Sequence, residues 1–281
     1  MTVVVKIGGA RAVDPADAIA DVASIVEDGE DVVVTHGGST AVDDALDRLG
    51  IEPEYVETPD GVVGRFTDAE TMEVFEMVLA GRVNTQLVAS LRSAGVDAVG
   101  LSGVDGGLLE GPRTSAVRVV EDGTKKIRRG DHSGTPKAVN NGLLNSLLAE
   151  GYTPVCSPPM AGIEDDRAVT PVNTDADRAA AVIAGALDAT LVLLTDVPGI
   201  LADPDDPATL FETVETAAEW EEVEAAAAGF MARKLMAAEE ALTGGAAEVV
   251  VADANAEAPV TAALEGSGTH IQQGALEVDT A

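Results

Sequence analysis

Cysteine is nearly absent from this sequence of 281 residues, in which Cys156 is the only one. A single cysteine excludes an internal disulfide and a cysteine-based zinc cluster. No apolar run reaches the roughly 18 residues expected of a membrane-spanning helix. Residues 1–9 lack the basic segment and the cleavage site of a signal peptide. We therefore expect a cytoplasmic protein that makes no contact with membranes.

Aromatic and basic residues are also scarce. Aromatic residues make up 2% of the chain, so alanine, valine, leucine and isoleucine must fill the core. The 17 basic residues face 49 acidic ones, and the formal net charge is -32. Such a surface repels nucleic acid, so we expect no nucleic-acid partner. Acidic residues spread over the whole length are typical of proteins from salt-loving archaea, which predicts a halophilic protein but no particular mechanism.

Short apolar runs alternate with alanine-rich, periodic segments along most of the chain. The apolar runs predict strands at 2–7, 31–36, 97–102, 153–158, 189–196 and 247–253. The periodic segments predict helices at 14–27, 39–49, 68–94, 137–150, 176–187 and 230–243. Continuous valine and leucine runs are typical of strands buried on both faces of a parallel sheet. The alternation predicts a three-layer α/β/α sandwich with a mainly parallel central sheet.

Two segments interrupt this alternation. Residues 115–131 predict a β-hairpin that turns at Asp122 and Gly123. Residues 158–175 predict a second, short hairpin that leads into a helix. We place the boundary between an N-terminal half, residues 1–170, and a C-terminal half, residues 171–281, at this second hairpin. No linker separates the halves, so we expect them to share one continuous sheet.

Glycine pairs follow two of the predicted strands. Gly8 and Gly9 follow "VVVKI", and Gly37 and Gly38 follow "VVVTH". A glycine pair at a strand-to-helix turn lets backbone N–H groups approach an anion, and the helix N-terminus adds partial positive charge. A tight turn alone would explain one pair, whereas two within 40 residues favour an anion site. The P-loop pattern is absent, and residues 100–107 do not fit the dinucleotide-binding spacing.

Charged residues stand at three unexpected places. Lys6 interrupts the first apolar run, so its ammonium group must either reach solvent or meet an anion. Arg233 and Lys234 lie in the predicted first turn of a late helix, where cations are unfavourable unless an anion binds. Asn173 and Asp177 lie at another helix start, where simple capping and a functional site explain the carboxylate equally well.

Together these motifs resemble those of the amino acid kinase family, and within it the acetylglutamate kinase group. In chain order they are KIGG (6–9), HGGS (36–39), GRFTD (64–68), NTDAD (173–177), LLTDVPGIL (193–201) and GFMARK (229–234). Each motif is weak by itself, but all six occur in the family's order and cover nearly the whole chain. Segments 64–88, 100–113 and 131–155 resemble more closely the subgroup that phosphorylates glutamate or aminoadipate attached to the small carrier protein LysW.

The resemblance implies transfer of a phosphoryl group from ATP, with Mg²⁺, to a carboxylate in arginine or lysine biosynthesis. It implies that Lys6 and Lys234 contact the transferred group and that Asp177 holds both lysines. The other implied ATP-binding residues are Gly8, Gly9, Thr195, Asp196 and Gly199. The implied binding residues of the acyl substrate are Gly37, Gly38, Ser39, Arg65 and Asn173. Arg65 would grip an α-carboxylate through paired hydrogen bonds.

The resemblance also assigns substrate and carrier binding to residues 1–170 and ATP binding to residues 171–281. It implies a homodimer, for which the predicted helix 68–94 is a candidate interface. Ser39 departs from the family pattern, because many relatives have a third glycine there, and this puts the ordinary acetylated substrate in doubt.

Basic residues cluster in and beside the first predicted hairpin. Five of the 17 fall within 13 residues, namely Lys125, Lys126, Arg128, Arg129 and Lys137. On so acidic a chain, this clustering favours a docking surface for an acidic LysW-type carrier over a solvated hairpin balanced by nearby acids. The runner-up function, phosphorylation of free N-acetylglutamate, needs no docking surface. A non-catalytic nucleotide-binding regulator would have no need to retain Lys6, Lys234 and Asp177.

Overall fold

The computed structural model describes residues 1–8, 15–59, 61, 63–121, 123–227 and 229–277. The strands are β1 (Thr2–Ile7), β2 (Asp31–His36), β3 (Tyr55–Glu57), β4 (Val63–Arg65), β5 (Ala98–Gly103), β6 (Leu109–Glu121), β7 (Thr124–Gly134), β8 (Ala138–Val139), β9 (Thr153–Ile163), β10 (Val169–Val172), β11 (Thr190–Thr195), β12 (Thr213–Val214), β13 (Glu248–Asp253) and β14 (Thr269–Gln272). The α-helices are α1 (Pro15–Glu27), α2 (Ser39–Leu49), α3 (Ala69–Phe75), α4 (Asn84–Ser93), α5 (Asn141–Ala149), α6 (Ala176–Ala186), α7 (Ala217–Ala226), α8 (Phe230–Thr243) and α9 (Pro259–Leu264).

One sheet of twelve strands contains all the described strands except β3 and β4, which form a small sheet of their own. Its central strands run in the order β13-β11-β1-β2-β9, and each neighbouring pair in this set is parallel. At one side β14 runs antiparallel to β13, and at the other β7 runs antiparallel to β6. Strands from both halves of the chain therefore belong to the same sheet.

Alternation along β1 shows how the layers arise. Val4 faces a core that includes residues of α6 and α8, whereas Val3 and Val5 face a second core formed with α1, α4 and α9. Successive side chains of a strand point to opposite faces, so a continuous valine run feeds both cores. The predicted α/β/α sandwich with a mainly parallel sheet is confirmed. Among the described residues, no helix is long and apolar enough to cross a membrane.

Both predicted hairpins are present. β6 and β7 pair antiparallel, and Glu121 opposite Thr124 closes the first hairpin, although Asp122 in its turn lies outside the described residues. β9 and β10 pair antiparallel with Val172 opposite Met160, which forms the second hairpin.

Three predicted elements have the wrong extent. Residues 68–94 form α3 and α4 with a π-helical segment, Glu76–Val83, between them. The helix predicted from 137 begins at 141, because residues 138–139 pair with β6 and Asn140 caps α5. The strand predicted at 153–158 continues to Ile163, because its second half pairs with β6 and β10.

Asp21 joins the beginning and the end of the described chain. This buried carboxylate on α1 accepts hydrogen bonds from the backbone N–H groups of Val260 (2.7 Å) and Thr261 (2.8 Å) at the start of α9. The Thr261 hydroxyl donates a third bond. Asp21 therefore caps a helix that lies about 240 residues away in sequence.

Replacing Asp21 by alanine is expected to lower the free energy of unfolding by about 1–3 kcal/mol, because the N–H groups lose a charged acceptor in a buried place. Denaturant unfolding measures the change. Glu27→Ala, at the exposed C-terminal end of the same helix, is the matched control and should leave the midpoint nearly unchanged. An equal midpoint in the two variants would show that this cap is unimportant.

Candidate active site

A buried cluster of three charged side chains lies where β1, α6 and α8 meet. The Nζ atom of Lys6 is 2.7 Å from Oδ1 of Asp177, and the Nζ atom of Lys234 is 3.2 Å from Oδ2. Each of the three residues is less than 10% exposed. Two ammonium groups thus share one carboxylate, which leaves an excess positive charge in a place with little water. An isolated buried charge is costly, so this cluster is suited to receiving an anion.

Local structure explains how the three side chains meet. The carboxylate of Asp175 accepts hydrogen bonds from the N–H groups of Asp177 and Arg178, which starts α6 and places Asp177 in its first turn. Gly229, at φ 58°, leads into α8, and Lys234 is the fifth residue of that helix. The predicted start of this helix at 230 is confirmed, and Lys234 lies one residue beyond the first turn in which it was expected.

The cluster shifts the ionisation of its members. Burial opposes ionisation of Asp177, but the charges of Lys6 and Lys234 outweigh it and hold the pKa of Asp177 below its ordinary value. Burial and the neighbouring charge of Lys6 lower the pKa of Lys234. Lys6 thus meets a carboxylate rather than solvent, and the charge that Asp177 cannot balance is left for a ligand.

Of the two predicted glycine turns, the structure describes the second in full and the first only in part. Gly9 lies outside the described residues, and Gly8 follows β1 half-buried. The N–H of Gly37 donates to the carbonyl of Ile7 at 3.1 Å, so this donor joins β1 to β2. No side chain in the described ranges caps α2 at Gly38, and Ser39 at its start is exposed. The first N–H groups of α2 are therefore available to a ligand.

Arg65 is fixed by contacts with three neighbouring side chains. Its Nη2 donates to the hydroxyl of Tyr55 at 3.1 Å and pairs closely with Asp43 on α2. Its guanidinium carbon lies 5.6 Å from the Tyr55 ring centre and 5.5 Å from that of Phe75. Within the described residues, the buried Nη1 atom has no hydrogen-bond partner. The fixed guanidinium thus keeps one unused donor group that suits an anion such as a carboxylate.

Asn173 lies four residues before Asp177, and its backbone is joined to the end of β7. Its N–H donates to the carbonyl of His132 at 2.8 Å, and its carbonyl accepts from Gly134 at 2.9 Å. The same strand end contacts Thr67, two residues after Arg65, since His132 N–H donates to the Thr67 carbonyl. Residues 131–134 therefore connect the Arg65 strand to the segment that leads into the lysine cluster.

The remaining predicted ATP-binding residues follow β11, the strand next to β1. Thr195 ends β11, and its hydroxyl lies 3.2 Å from Oδ1 of Asp196. Gly199 packs tightly, because an added Cβ would lie 2.7 Å from both Leu210 and the hydroxyl of Thr269. A cleft of about 320 Å³ beside this loop is lined by residues that include Pro198, Asp253, Pro259 and Ser267. Parallel strands of open α/β sheets place ligands at this end.

Comparison with known proteins agrees with this geometry. A model of the amino acid kinase family matches residues 1–253. This chain belongs to the amino acid kinase family. The [LysW]-aminoadipate kinases of Deinococcus radiodurans and Thermus thermophilus are similar to it, at 44% and 42% identity. The alignments cover 95% of this chain and 90% of the first relative, and 96% of this chain and 100% of the second.

An acetylglutamate kinase of Methanopyrus kandleri is 44% identical over 96% of this chain and 99% of its own length. Among solved structures, a carbamate kinase from Giardia lamblia bound to AMP-PNP superposes with a TM-score of 0.66 at 18% identity. That alignment covers 96% of this chain and 98% of the carbamate kinase. The last comparison supports the fold alone.

In this amino acid kinase the five predicted docking cations do not form one surface. Residues alternate between the two faces of β7, so Lys125 and Arg129 lie on one face and Lys126 and Arg128 on the other. Lys126 pairs with Glu121 at 2.8 Å, and Arg128 pairs with Glu54 at 2.5 Å. Lys137 lies beyond the hairpin, and its N–H donates to the Glu110 carbonyl.

Arg118 is a fourth basic residue of the hairpin that the sequence did not single out, and it shares a face of the hairpin with Lys125 and Arg129. Arg118 on β6 stands opposite Ile127, which places it on the face of Lys125 and Arg129. All four side chains are exposed, Ile127 by 65%. None of the three cations has an ion-pair partner within the part of the chain that the structure describes. The signal was present in the sequence, because Arg118 falls at the position opposite Ile127 in a hairpin that turns at 122–123.

Asn84 and His36 were also overlooked as parts of the site. His36 ends β2 immediately before the glycine turn, and burial lowers its pKa to about 4. Its Nδ1 lies 2.9 Å from the Gly37 carbonyl, and its Nε2 lies 3.2 Å from the amide nitrogen of Asn84. A neutral imidazole therefore holds the glycine turn in place. No sequence pattern predicts the contact between His36 and Asn84, which are 48 positions apart.

Proposed function

We propose that this chain phosphorylates the side-chain carboxylate of glutamate or aminoadipate attached to a LysW-type carrier protein, with ATP as the phosphoryl donor. The product is an acyl phosphate for arginine or lysine biosynthesis. The observation that carries the proposal is the Lys6–Asp177–Lys234 cluster, buried in a chain that aligns over 95% of its length with a [LysW]-aminoadipate kinase.

The chemistry requires charge and alignment rather than a base. The substrate carboxylate is already ionised, and one of its oxygens attacks the γ-phosphorus of ATP. The bond from that phosphorus to the bridging oxygen breaks, and ADP departs with the electron pair. Lys6 and Lys234 stabilise the charge on the moving phosphoryl group, and Asp177 keeps both ammonium groups in place. Arg65 and Asn173 hold the amino-acid part, together with the turn at Gly37, Gly38 and Ser39.

The two halves divide the work in this proposal. Residues 1–170 bind the acyl substrate and the carrier, and residues 171–281 bind ATP through Thr195, Asp196 and Gly199, with Gly8 and Gly9 from the first turn. Among the described residues, no three acidic, histidine or cysteine side chains are grouped to hold a metal. We propose that Mg²⁺ enters with ATP, because nucleotide phosphates and water coordinate this ion readily, and that it would neutralise phosphate charge when bound.

The open hairpin face, defined as Arg118, Lys125, Ile127 and Arg129, is the proposed carrier-docking surface. Three exposed cations around an exposed isoleucine suit an acidic partner with an apolar patch. We further propose a homodimer that works in the cytoplasm of a salt-rich cell. The net charge of -32 supports the last point.

A comparison of substrates tests the function. Purified protein in high salt with Mg²⁺ and ATP is expected to consume ATP with carrier-bound glutamate, carrier-bound aminoadipate or both, and poorly with free N-acetylglutamate. At the lowest salt concentration at which the protein stays folded, Lys125→Ser/Arg129→Ser is expected to raise the KM for the loaded carrier about 10-fold and to leave the KM for ATP unchanged. Rim charges govern encounter, and added salt screens them. Preferred turnover of free N-acetylglutamate would instead favour an acetylglutamate kinase, the function of the Methanopyrus kandleri relative.

A further inference from the structure

Arg128 has contacts unlike those of a docking residue. Its guanidinium binds the carboxylate of Glu54 through two bonds, Nη1 to Oε1 and Nη2 to Oε2, each 2.5 Å long. Its guanidinium carbon lies 4.8 Å from the centre of the Phe66 ring. A second acid, Glu121, lies 3.6 Å from Nη1. Bidentate pairing and ring stacking fix the plane of this side chain and use its charge within the chain.

Both partners of Arg128 adjoin the small sheet of β3 and β4. Glu54 immediately precedes Tyr55, and Phe66 immediately follows Arg65. The N–H of Phe66 donates to the Glu54 carbonyl at 2.8 Å, and Tyr55 stands opposite Arg65 in the register. Arg128 therefore contacts the residue that precedes β3 and the residue that follows β4, next to the paired residues Tyr55 and Arg65.

In the part of the chain that the structure describes, no strand of the small sheet pairs with the large one, so the position of the small sheet depends on side chains and on a few backbone bonds. Besides Arg128, the described ties from β7 are the bonds of Thr67 with the Asp131 carboxylate (3.0 Å) and with the His132 N–H (2.7 Å). Without Arg128, the described hydrogen bonds from β7 to this region would be those of Thr67 alone, two residues beyond Arg65.

We propose that Arg128 is a positioning residue for the substrate arginine: it fixes the β3–β4 sheet to the hairpin so that Arg65 is aimed at the substrate carboxylate. This inference rests on the proposed role of Arg65. It removes Arg128 from the docking set and assigns it to substrate positioning. It also links the hairpin mechanically to the substrate site, since docking on the open face and positioning of Arg65 then involve the two faces of one strand.

Three measurements on Arg128→Met, Arg129→Ser and Arg92→Ser test the proposal. Each substitution removes one cation, and exposed Arg92 on α4 is the matched control for net charge. Arg128→Met should leave the Kd for the carrier without an amino acid within about twofold, yet raise the KM for the loaded carrier about 10-fold, with the KM for ATP unchanged. Arg129→Ser should weaken binding of the carrier without an amino acid. Arg92→Ser should change neither this Kd nor the KM for the loaded carrier.

The third measurement, amide hydrogen exchange, is independent of activity. In Arg128→Met the N–H of Phe66 should exchange faster than in the unmodified protein, whereas Arg129→Ser and Arg92→Ser should not change it. Arg128→Lys keeps the charge but loses the pair of coplanar hydrogen bonds. Its exchange rate at Phe66 and its KM for the loaded carrier should lie between those of the unmodified protein and those of Arg128→Met.

Two results would overturn the proposal. One is weaker binding of the unloaded carrier by Arg128→Met, to the extent seen with Arg129→Ser, because Arg128 would then be a docking residue. The other is unchanged exchange at Phe66. Failure of the unmodified protein to phosphorylate any loaded carrier would contradict the proposed function instead, and the exchange data would still decide whether Arg128 fixes the small sheet.

Discussion

Asp177→Asn should destabilise the protein and nearly eliminate phosphoryl transfer. The substitution leaves the ammonium groups of Lys6 and Lys234 facing each other in a buried place, without their shared counter-charge. Removing one partner of a buried ion pair typically costs about 3–5 kcal/mol of unfolding free energy. Denaturant unfolding measures this loss. Because the variant cluster carries more positive charge, ATP binding should persist while kcat falls by at least about 100-fold through misplaced lysines.

Asp175→Asn is the matched control for this experiment. Asp175 lies two residues away and caps the same helix, and asparagine caps helices about as well as aspartate does. This variant should retain nearly all of its stability and turnover. Wild-type stability in Asp177→Asn would contradict the view that the carboxylate balances two buried cations. Loss of ATP binding in parallel with kcat would show that Asp177 acts on nucleotide binding as a whole.

Arg65→Met should impair use of the amino-acid substrate without affecting ATP. Hydrogen bonds to a charged group contribute about 1.5–3 kcal/mol, so we expect the KM for the loaded carrier to rise about 10- to 150-fold. Arg65→Lys should not restore the lost affinity, because an ammonium group cannot donate paired bonds in one plane or stack in the same way between Tyr55 and Phe75. Steady-state kinetics with each substrate varied in turn measures both effects.

Arg82→Met is the control for Arg65. Exposed Arg82 donates, among the described residues, to the backbone carbonyl of Ala41 alone, so its loss should leave both KM values unchanged. An unchanged KM for the loaded carrier in Arg65→Met would mean that the unpartnered Nη1 atom faces something other than substrate.

The pattern of apolar residues along the chain predicted the layers of the α/β/α sandwich well, because the burial of a strand or helix shows in its own residues. Valine runs such as β1 are buried on both faces, and this pattern is visible without knowledge of neighbouring strands. The strands that were missed depend on pairing between distant segments, whereas the missed helices α7 and α9 do not. β3 and β4 have three residues each, which is too short for an alternation to be recognised, and β8 is an extended pair created by its contact with β6.

The candidate site, like the fold, was predictable where local motifs determine it and not where distant residues meet. Motif resemblance selected Lys6, Asp177 and Lys234, and these three side chains meet in the structure. The environment of Arg65 was not predictable, because Asp43, Tyr55 and Phe75 come from three different elements with no shared motif. The basic hairpin was found by its charge, but only strand alternation and cross-strand register divide its cations between docking and positioning.

The most direct test of the central claim is to trap the product. Hydroxylamine converts an acyl phosphate into a stable hydroxamate, so the reaction of protein, ATP, Mg²⁺ and loaded carrier can be analysed by mass spectrometry of the carrier. One hydroxamate is expected for each ADP formed by the unmodified protein, and almost none from Lys6→Met. ADP without hydroxamate, or undiminished hydroxamate from Lys6→Met, would contradict phosphoryl transfer to a carboxylate at the Lys6–Asp177–Lys234 cluster.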